Sequence, residues 1–297
     1  MKISIIIPTL NEENYLPDLL KDIKKQDFSD YEIIVADAGS SDNTVKIAKS
    51  YGAKVVKGGA PAVGRNRGAK VASGEFLFFL DADVRLPKNF LKNAYCEMRK
   101  RYLDLATCPF RAISNLLIDK IIFNIASLLM KLAQFSVPHA PGSSIFVTKR
   151  LFERVGGFNE RLKQAEDHDF VKRASRFRPL RVLESTYVKV STRRLDKEGR
   201  ILLGKKYLQV ELYRLFKGEV DKELFEYEFG NYNPQTNKGL EKRLARIEKQ
   251  LRMIDKAYKN LAKNLNRDEI KERYKKNLNR LGRRLNQVRK FLKESFK

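Results

Sequence analysis

Asp81 and Asp83, one residue apart, place two carboxylates directly after the apolar run 76–80, Phe-Leu-Phe-Phe-Leu. If that run is a buried strand, both side chains can converge on one hard divalent cation, Mg2+ or Mn2+. Such an ion would bridge a diphosphate and stabilise the charge that develops as the diphosphate leaves. The plainer alternative is a surface turn with two solvated aspartates. Glu166, Asp167, His168 and Asp169 form the densest titratable cluster in the chain. One of its carboxylates can act as general base toward an attacking hydroxyl, or the acids can simply complement the dipole of a helix N-terminus.

Asp37 closes a second apolar run, where it can accept hydrogen bonds from a nucleobase or ribose, or else cap the helix that follows. Arg65 and Arg67 come one turn into a helix after a glycine-rich loop and are candidates to pair with phosphate oxygens; solvated helix charges are the alternative. Arg193 and Arg194 follow a strand-like segment at 187–190 and precede Lys205 and Lys206. These cations can fold over a diphosphate as a lid and assist its departure, or be surface basicity and no more. His139 and His168 are the only histidines, and each is either a third metal ligand or a structural hydrogen-bonder.

The elements that must hold these groups follow from periodicity. Apolar runs at 3–7, 31–36, 54–56 and 76–80 read as strands. They alternate with helical spacing at Tyr15, Leu16, Leu19, Leu20 and Ile23, after a Ser41 or Asp42 cap, and over 63–72. Strands that are apolar throughout and separated by helices predict an α/β fold, a mostly parallel sheet covered on both faces. In such sheets ligands bind beyond the carboxyl ends of the strands, where Asp37, Asp81 and Asp83 fall. Further strands are expected near 103–108 and 143–147. A helix capped by Ser114 and stopped by Pro138 is expected to pack inside the domain, and another helix should carry residues 166–175.

The chain has 297 residues and a formal charge of +25. Residues 235–297 hold 21 Lys and Arg against 7 Asp and Glu, a net of +14. That balance favours polyanionic partners such as an anionic membrane, nucleic acid or a phosphorylated substrate. Two cysteines, Cys96 and Cys108, are too few for a disulfide framework and are read as reduced core residues of a cytoplasmic protein. The N-terminal run reads as a first strand rather than a signal peptide, and no apolar stretch is long enough to span a bilayer. Any membrane attachment is therefore expected to be peripheral. From Leu240 to Leu292 apolar residues step by 4 and 3 with a polar break at 266–269, the pattern of a coiled-coil hairpin. Two units are expected: a catalytic domain over 1–233 and a basic helical hairpin over 234–297.

In order along the chain, IIIPTLNEENYL, ADAGSSDNT, GRNRGAKVASGEFLFFLDAD, SSIFVTKRLFERVGGFNE and AEDHDF resemble the family 2 glycosyltransferases of the GT-A fold. The resemblance covers roughly residues 1–200. It implies a metal-dependent, inverting transfer of a sugar from a nucleoside diphosphate donor to an acceptor. Carried over position by position, Pro8, Thr9, Glu12 and Asp37 would contact the nucleoside. Asp81 and Asp83 would serve metal and diphosphate, and Asp167 would be the base. The tryptophan-bearing motif of processive synthases is absent, and the usual downstream metal histidine has no clear counterpart, which leaves the third ligand open, with His139 put forward for it. Two competing readings differ in class. A nucleic-acid or polyanion binder would use the basic hairpin, yet that segment has few aromatics to stack bases and no reader motif. A nucleotidyltransferase would carry a lysine-bearing phosphate loop where PTLNEE stands.

Overall fold

The structure, a computed structural model, describes residues 1–135, 138–162 and 164–200. The hairpin expected over 234–297 lies outside the described residues, as do Lys205 and Lys206.

The first third of the chain alternates as its periodicity predicts. Strand β1 (Ile3–Thr9) is followed by α1 (Leu16–Lys24), β2 (Tyr31–Asp37), α2 (Thr44–Ser50), β3 (Lys54–Lys57), α3 (Pro61–Lys70) and β4 (Phe76–Phe79). After these come β5 (Val84–Arg85), α4 (Phe90–Lys100), β6 (Leu105–Thr107), β7 (Phe110–Ile113) and α5 (Leu117–Ala133). The described part closes with β8 (Ile145–Thr148), α6 (Lys149–Val155), α7 (Glu166–Ser175), β9 (Arg181–Val182), β10 (Val188–Ser191) and α8 (Arg193–Glu198).

Seven strands form the main sheet in the order β3-β2-β1-β4-β8-β6-β9. Pairing is parallel from β3 to β4, whereas β8 runs antiparallel to both β4 and β6. Successive residues of the central strands serve opposite faces. Ile3, Ile5, Ile7, Ile33, Val35, Phe76, Phe78 and Phe146 point into one core with Leu16, Leu19, Leu20 and Ile23 of α1 and Phe90 of α4. Ile6, Ile34, Leu77, Phe79, Ile145 and Val147 point into the other, with Ala69 of α3, Leu151 and Phe152 of α6 and Phe170 of α7. A sheet buried on both faces explains why its strands read as unbroken apolar runs.

A second sheet, in the order β5-β10-β7, was not foreseen. Its strands have two and four residues; β10 corresponds to the strand-like segment read at 187–190, but the pairings, which join Val188 to Phe110 and Lys189 to Arg85, leave no local pattern. This small sheet leads from Asp83 through β5 and from Ser191 into α8.

Four expectations need correction. The cap of α2 is Asn43, and Asp42 instead accepts a hydrogen bond from the Thr44 N–H at 2.9 Å. Ser114 is no cap, because α5 starts later; its hydroxyl donates to Asp119 at 2.6 Å and accepts from the Leu116 N–H at 3.0 Å. Helix α5 does not pack wholly inside the domain, since Leu128, Leu129 and Leu132 are exposed. Of the two cysteines, Cys108 is buried as expected and Cys96 is exposed.

Candidate active site

The ends of β1 and β2 are laced together by their following loops. Asn11 N–H donates to Ser40 Oγ at 2.9 Å, Ser41 N–H to Asn11 Oδ1 at 2.9 Å, and Glu12 N–H to Thr44 Oγ1 at 2.8 Å. Asn11 adopts φ 54°, a left-handed conformation that Asn tolerates better than most residues. Pro8 and Thr9 end β1 inside this lacework. Asp37 is 7% exposed and accepts four hydrogen bonds, from Thr9 Oγ1, Ser40 Oγ and the N–H groups of Gly39 and Ser40. Those four occupy its acceptor sites. Its place in the free protein is therefore the turn after β2, not the cap of α2, and a nucleoside that bonds to this carboxylate must replace one of them.

Glu12 is buried and held by Arg193, whose Nη1 and Nη2 donate to its two carboxylate oxygens at 2.7 and 2.8 Å. Arg193 is packed over the Tyr15 ring at 4.5 Å and has Nε 2.8 Å from Asp83 Oδ2, an ion pair in which the N–H is not aimed at the oxygen. Arg193 and Arg194 thus lie on α8 beside the aspartates, with Arg194 close enough to act electrostatically on Asp83. Burial raises the Asp83 carboxyl to about 6; Arg193 opposes the rise, while Asp81 and Glu12 add to it.

Arg65 joins these strand-end residues to the acids of α7. It is 3% exposed, with Nη2 donating to Asp81 Oδ1 at 3.0 Å and Nη1 to Glu166 Oε1 at 2.7 Å. Burial alone would lower its pKa, but Asp81, Glu166 and Asp167 together raise it, so this arginine stays charged. Its Nε has no hydrogen-bond partner among the described residues, an unpaired buried donor of the kind that marks an incomplete site. Burial and the neighbouring Asp167 push Glu166 upward, with Arg65 opposing. Asp167 accepts the Gly142 N–H at 2.7 Å and the His168 N–H at 2.8 Å. Ala165, just before these acids, has φ 57°, a costly conformation for alanine that positions the first turn of α7.

Other candidates separate from the cluster. Arg67 is exposed and donates to Gly58 O at 2.6 Å, because two residues along a helix point to nearly opposite sides. Asp169 pairs with Arg173 at 2.7 Å, and Arg173 in turn donates to the carbonyls of Val155 and Gly157. That makes Asp169 a structural residue. His139 and His168 lie against each other, ring centroids 5.4 Å apart. Sequence reasoning did not single out Tyr15, Thr44, Asn66 or Gly142. Tyr15 reads as an ordinary apolar helix position, while Asn66, between the two arginines, holds the 158–160 segment through Phe158 and Glu160.

Among the described residues no group of three or more His, Cys, Asp or Glu side chains converges to hold a metal. Two carboxylates nonetheless suit Mg2+ or Mn2+, which commonly take one or two from protein and the rest from water and phosphate. Five carboxylates, those of Glu12, Asp81, Asp83, Glu166 and Asp167, face three guanidiniums, those of Arg65, Arg193 and Arg194. The acids outnumber the bases here, so the residues present fit such an ion.

Residues 4–156 match the family model described as Glycosyl transferase family 2. The chain belongs to that family. It is 30% identical over 185 residues to the Staphylococcus aureus poly(ribitol-phosphate) beta-N-acetylglucosaminyltransferase TarS, covering 59% of this chain and 32% of the relative. It is 33% identical over 128 residues to the Campylobacter jejuni GalNAc(5)-diNAcBac-PP-undecaprenol beta-1,3-glucosyltransferase, covering 40% of this chain and 39% of that one. The chain thus spans about a third of the length of the curated relatives it matches. A crystal structure of S. aureus TarS 1-349 in complex with UDP-GlcNAc superposes with a TM-score of 0.53 at 25% identity, over 64% of this chain and 58% of that one. The mannosyltransferase PcManGT from Pyrobaculum calidifontis, in complex with GDP-Man and Mn2+, superposes at 0.55 with 19% identity over 70% of this chain and 64% of that one, and shares the fold.

Proposed function

We propose that the chain is a metal-dependent, inverting glycosyltransferase that moves a sugar from a UDP- or GDP-sugar to an acceptor hydroxyl or phosphate. The observation that carries this reading is the double ion pair of Arg65, at 3.0 Å to Asp81 and 2.7 Å to Glu166. One buried cation ties the strand-end aspartates to the acids of α7, so a donor diphosphate at the first and an acceptor at the second would share one site. The family membership and the UDP-GlcNAc complex of a related structure support the donor class.

In this reading Pro8, Thr9, Glu12 and Asp37 line the nucleoside end, and Asp81 and Asp83 hold Mg2+ or Mn2+. The ion, when bound, offsets the charge that accumulates on the leaving diphosphate. Arg65 fixes Asp81 and Glu166 relative to each other. Arg193 and Arg194 exchange some of their contact with Glu12 and Asp83 for phosphate oxygens. Asp167, pinned by the Gly142 N–H, takes the proton of the acceptor oxygen as that oxygen bonds to the anomeric carbon; the electron pair of the broken bond leaves with the nucleoside diphosphate, and the anomeric centre inverts. A lipid-linked acceptor is supported by the Campylobacter relative, whose name specifies a PP-undecaprenol acceptor. A cytoplasmic site of action, with the basic residues 235–297 on an anionic membrane face, is consistent with that acceptor. Nothing among the described residues favours the nucleic-acid reading.

Calorimetric titration with UDP and GDP, with and without Mn2+, tests the donor site. Mn2+-dependent binding of one nucleotide, weakened at least tenfold in Asp81→Ala/Asp83→Ala, is expected and would name the base. No binding of either nucleotide with any metal would refute the reading.

A further inference from the structure

Helix α5 is mounted by one face and, among the described residues, uncovered on the other. Ser127 Oγ donates to Phe110 O at 2.7 Å and accepts from Phe110 N–H at 2.9 Å, and the Phe123 ring packs edge-on against Phe110 at 5.8 Å. Met130 is buried on the same side. These contacts fix the rotation of the helix about its axis. The opposite stripe is apolar and lies in water: Ile121 is 37% exposed and Phe135 75%, with Ile125, Leu128, Leu129 and Leu132 between them. Spacings of three and four put Ile121 to Leu132 on one side of a helix about 25 Å long, with Phe135 in the turn that follows it. By contrast, Leu16, Leu19, Leu20 and Ile23 of α1 are all fully buried. A contiguous exposed patch of this kind marks an interaction surface.

Charge around the stripe identifies the occupant. Between residues 105 and 139 the only acid is Asp119, which is fully buried and paired with Arg200 at 2.7 and 2.9 Å. Arg111, Lys120 and Lys131 are exposed on this segment. Lys131 pairs with Glu184 of the neighbouring loop at 3.1 Å, and Arg181 lies 5.4 Å from the Phe135 ring. A second copy docked through the same face would set these bases against their own counterparts. Residues 235–297 carry the same sign, a net of +14. No helix among the described residues is long and apolar enough to cross a membrane. An apolar stripe flanked by bases, too short to span, is the composition of a helix lying in the plane of a lipid interface.

We propose that α5 is a membrane-docking element, its stripe from Ile121 to Phe135 inserted among the acyl chains of an anionic bilayer and its flanking bases among the headgroups. The mounting places this surface beside the site. Helix α5 packs on β7, β7 pairs with β10, and Ser191 N–H at the end of β10 donates to Asp83 O at 3.3 Å. Docking through α5 would therefore hold the donor aspartates close to the lipid headgroups. The inference stands apart from the donor chemistry, since it rests on the face and its charges alone.

Flotation of the full chain with phosphatidylcholine vesicles, with and without phosphatidylglycerol, tests the proposal. The comparison is with Ile125→Gln/Leu128→Gln/Leu129→Gln, which changes no charge. The wild type is expected to float with the anionic vesicles, and the triple variant to partition at least tenfold more weakly while keeping its melting temperature and its Mn2+-dependent nucleotide binding. Equal flotation of the two proteins would overturn the proposal by assigning attachment to basic charge alone. It would also be overturned by a wild type that ignores anionic vesicles, by a dimer that the substitutions split into monomers, or by a large drop in melting temperature, which would mean that the chain's own residues cover the face.

Discussion

Arg65 and Asp83 show how the site handles charge out of water. Arg65 is 3% exposed and would be costly to bury alone, but three acids surround it and keep it charged. Asp83 faces the opposite problem, because its buried carboxyl has other acids nearby and titrates at about 6 rather than 3.8. A carboxyl whose folded pKa is raised is most stabilising when protonated, so its contribution is full below about 4 and is lost as pH rises through about 6. Asp83→Asn should remove that loss. Denaturant titrations between pH 4 and 7 are expected to show the variant gaining on the wild type as pH rises, by at most about 3 kcal/mol. Parallel stability curves for the two proteins would contradict the burial assigned to Asp83. The aspartates, arginines and acids were legible in the sequence as candidates. Their pairing was not, since Arg65 meets Glu166 across 101 positions and Arg193 meets Glu12 across 181.

At the scale of elements, the turn before β8 carries as much of the site as the helices do. Gly142 gives its N–H to Asp167 at 2.7 Å, and a Cβ at that position would run into the Arg65 guanidinium. Arginine ends usually yield to such a clash, but this one is fixed by ion pairs to Asp81 and Glu166. Gly142→Ala should therefore cost about 1–3 kcal/mol in thermal or chemical unfolding and weaken Mn2+-dependent nucleotide binding as Asp81 is displaced. Full stability and full binding in this variant would show that Arg65 has more freedom than the ion pairs suggest. Sequence pattern located β1 to β4 as apolar runs alternating with helical spacing, and it located α1 and α7. It read β10 as a strand-like segment at 187–190 but missed β5, β7 and the sheet the three form, because that pairing joins segments distant in sequence. It misjudged α5 for a different reason: a hydrophobic stripe shows that a helix has something to cover, not whether protein or another phase covers it.

Across the described residues, one sheet with a core on each face sets Pro8, Thr9, Asp37, Asp81 and Asp83 at or just beyond the carboxyl ends of β1, β2 and β4, as the topology of parallel sheets requires, while α3 and α8 bring Arg65, Arg193 and Arg194 to them. The parallel strands up to β4 could be read from the sequence; their order in the sheet and the antiparallel β8 beside β4 could not, because order and direction are set by the connections and leave no trace in composition. Family membership then links this arrangement to sugar transfer. The most direct test is turnover of the donor. The purified chain would be incubated with a panel of UDP- and GDP-sugars in Mn2+, Mg2+ or chelator, with release of the nucleoside diphosphate followed for wild type and Asp167→Asn. Metal-dependent release from one donor class, slowed roughly 100-fold or more by the substitution, is the expected result. Release from no donor, or release indifferent to Asp167→Asn, would contradict the site described here.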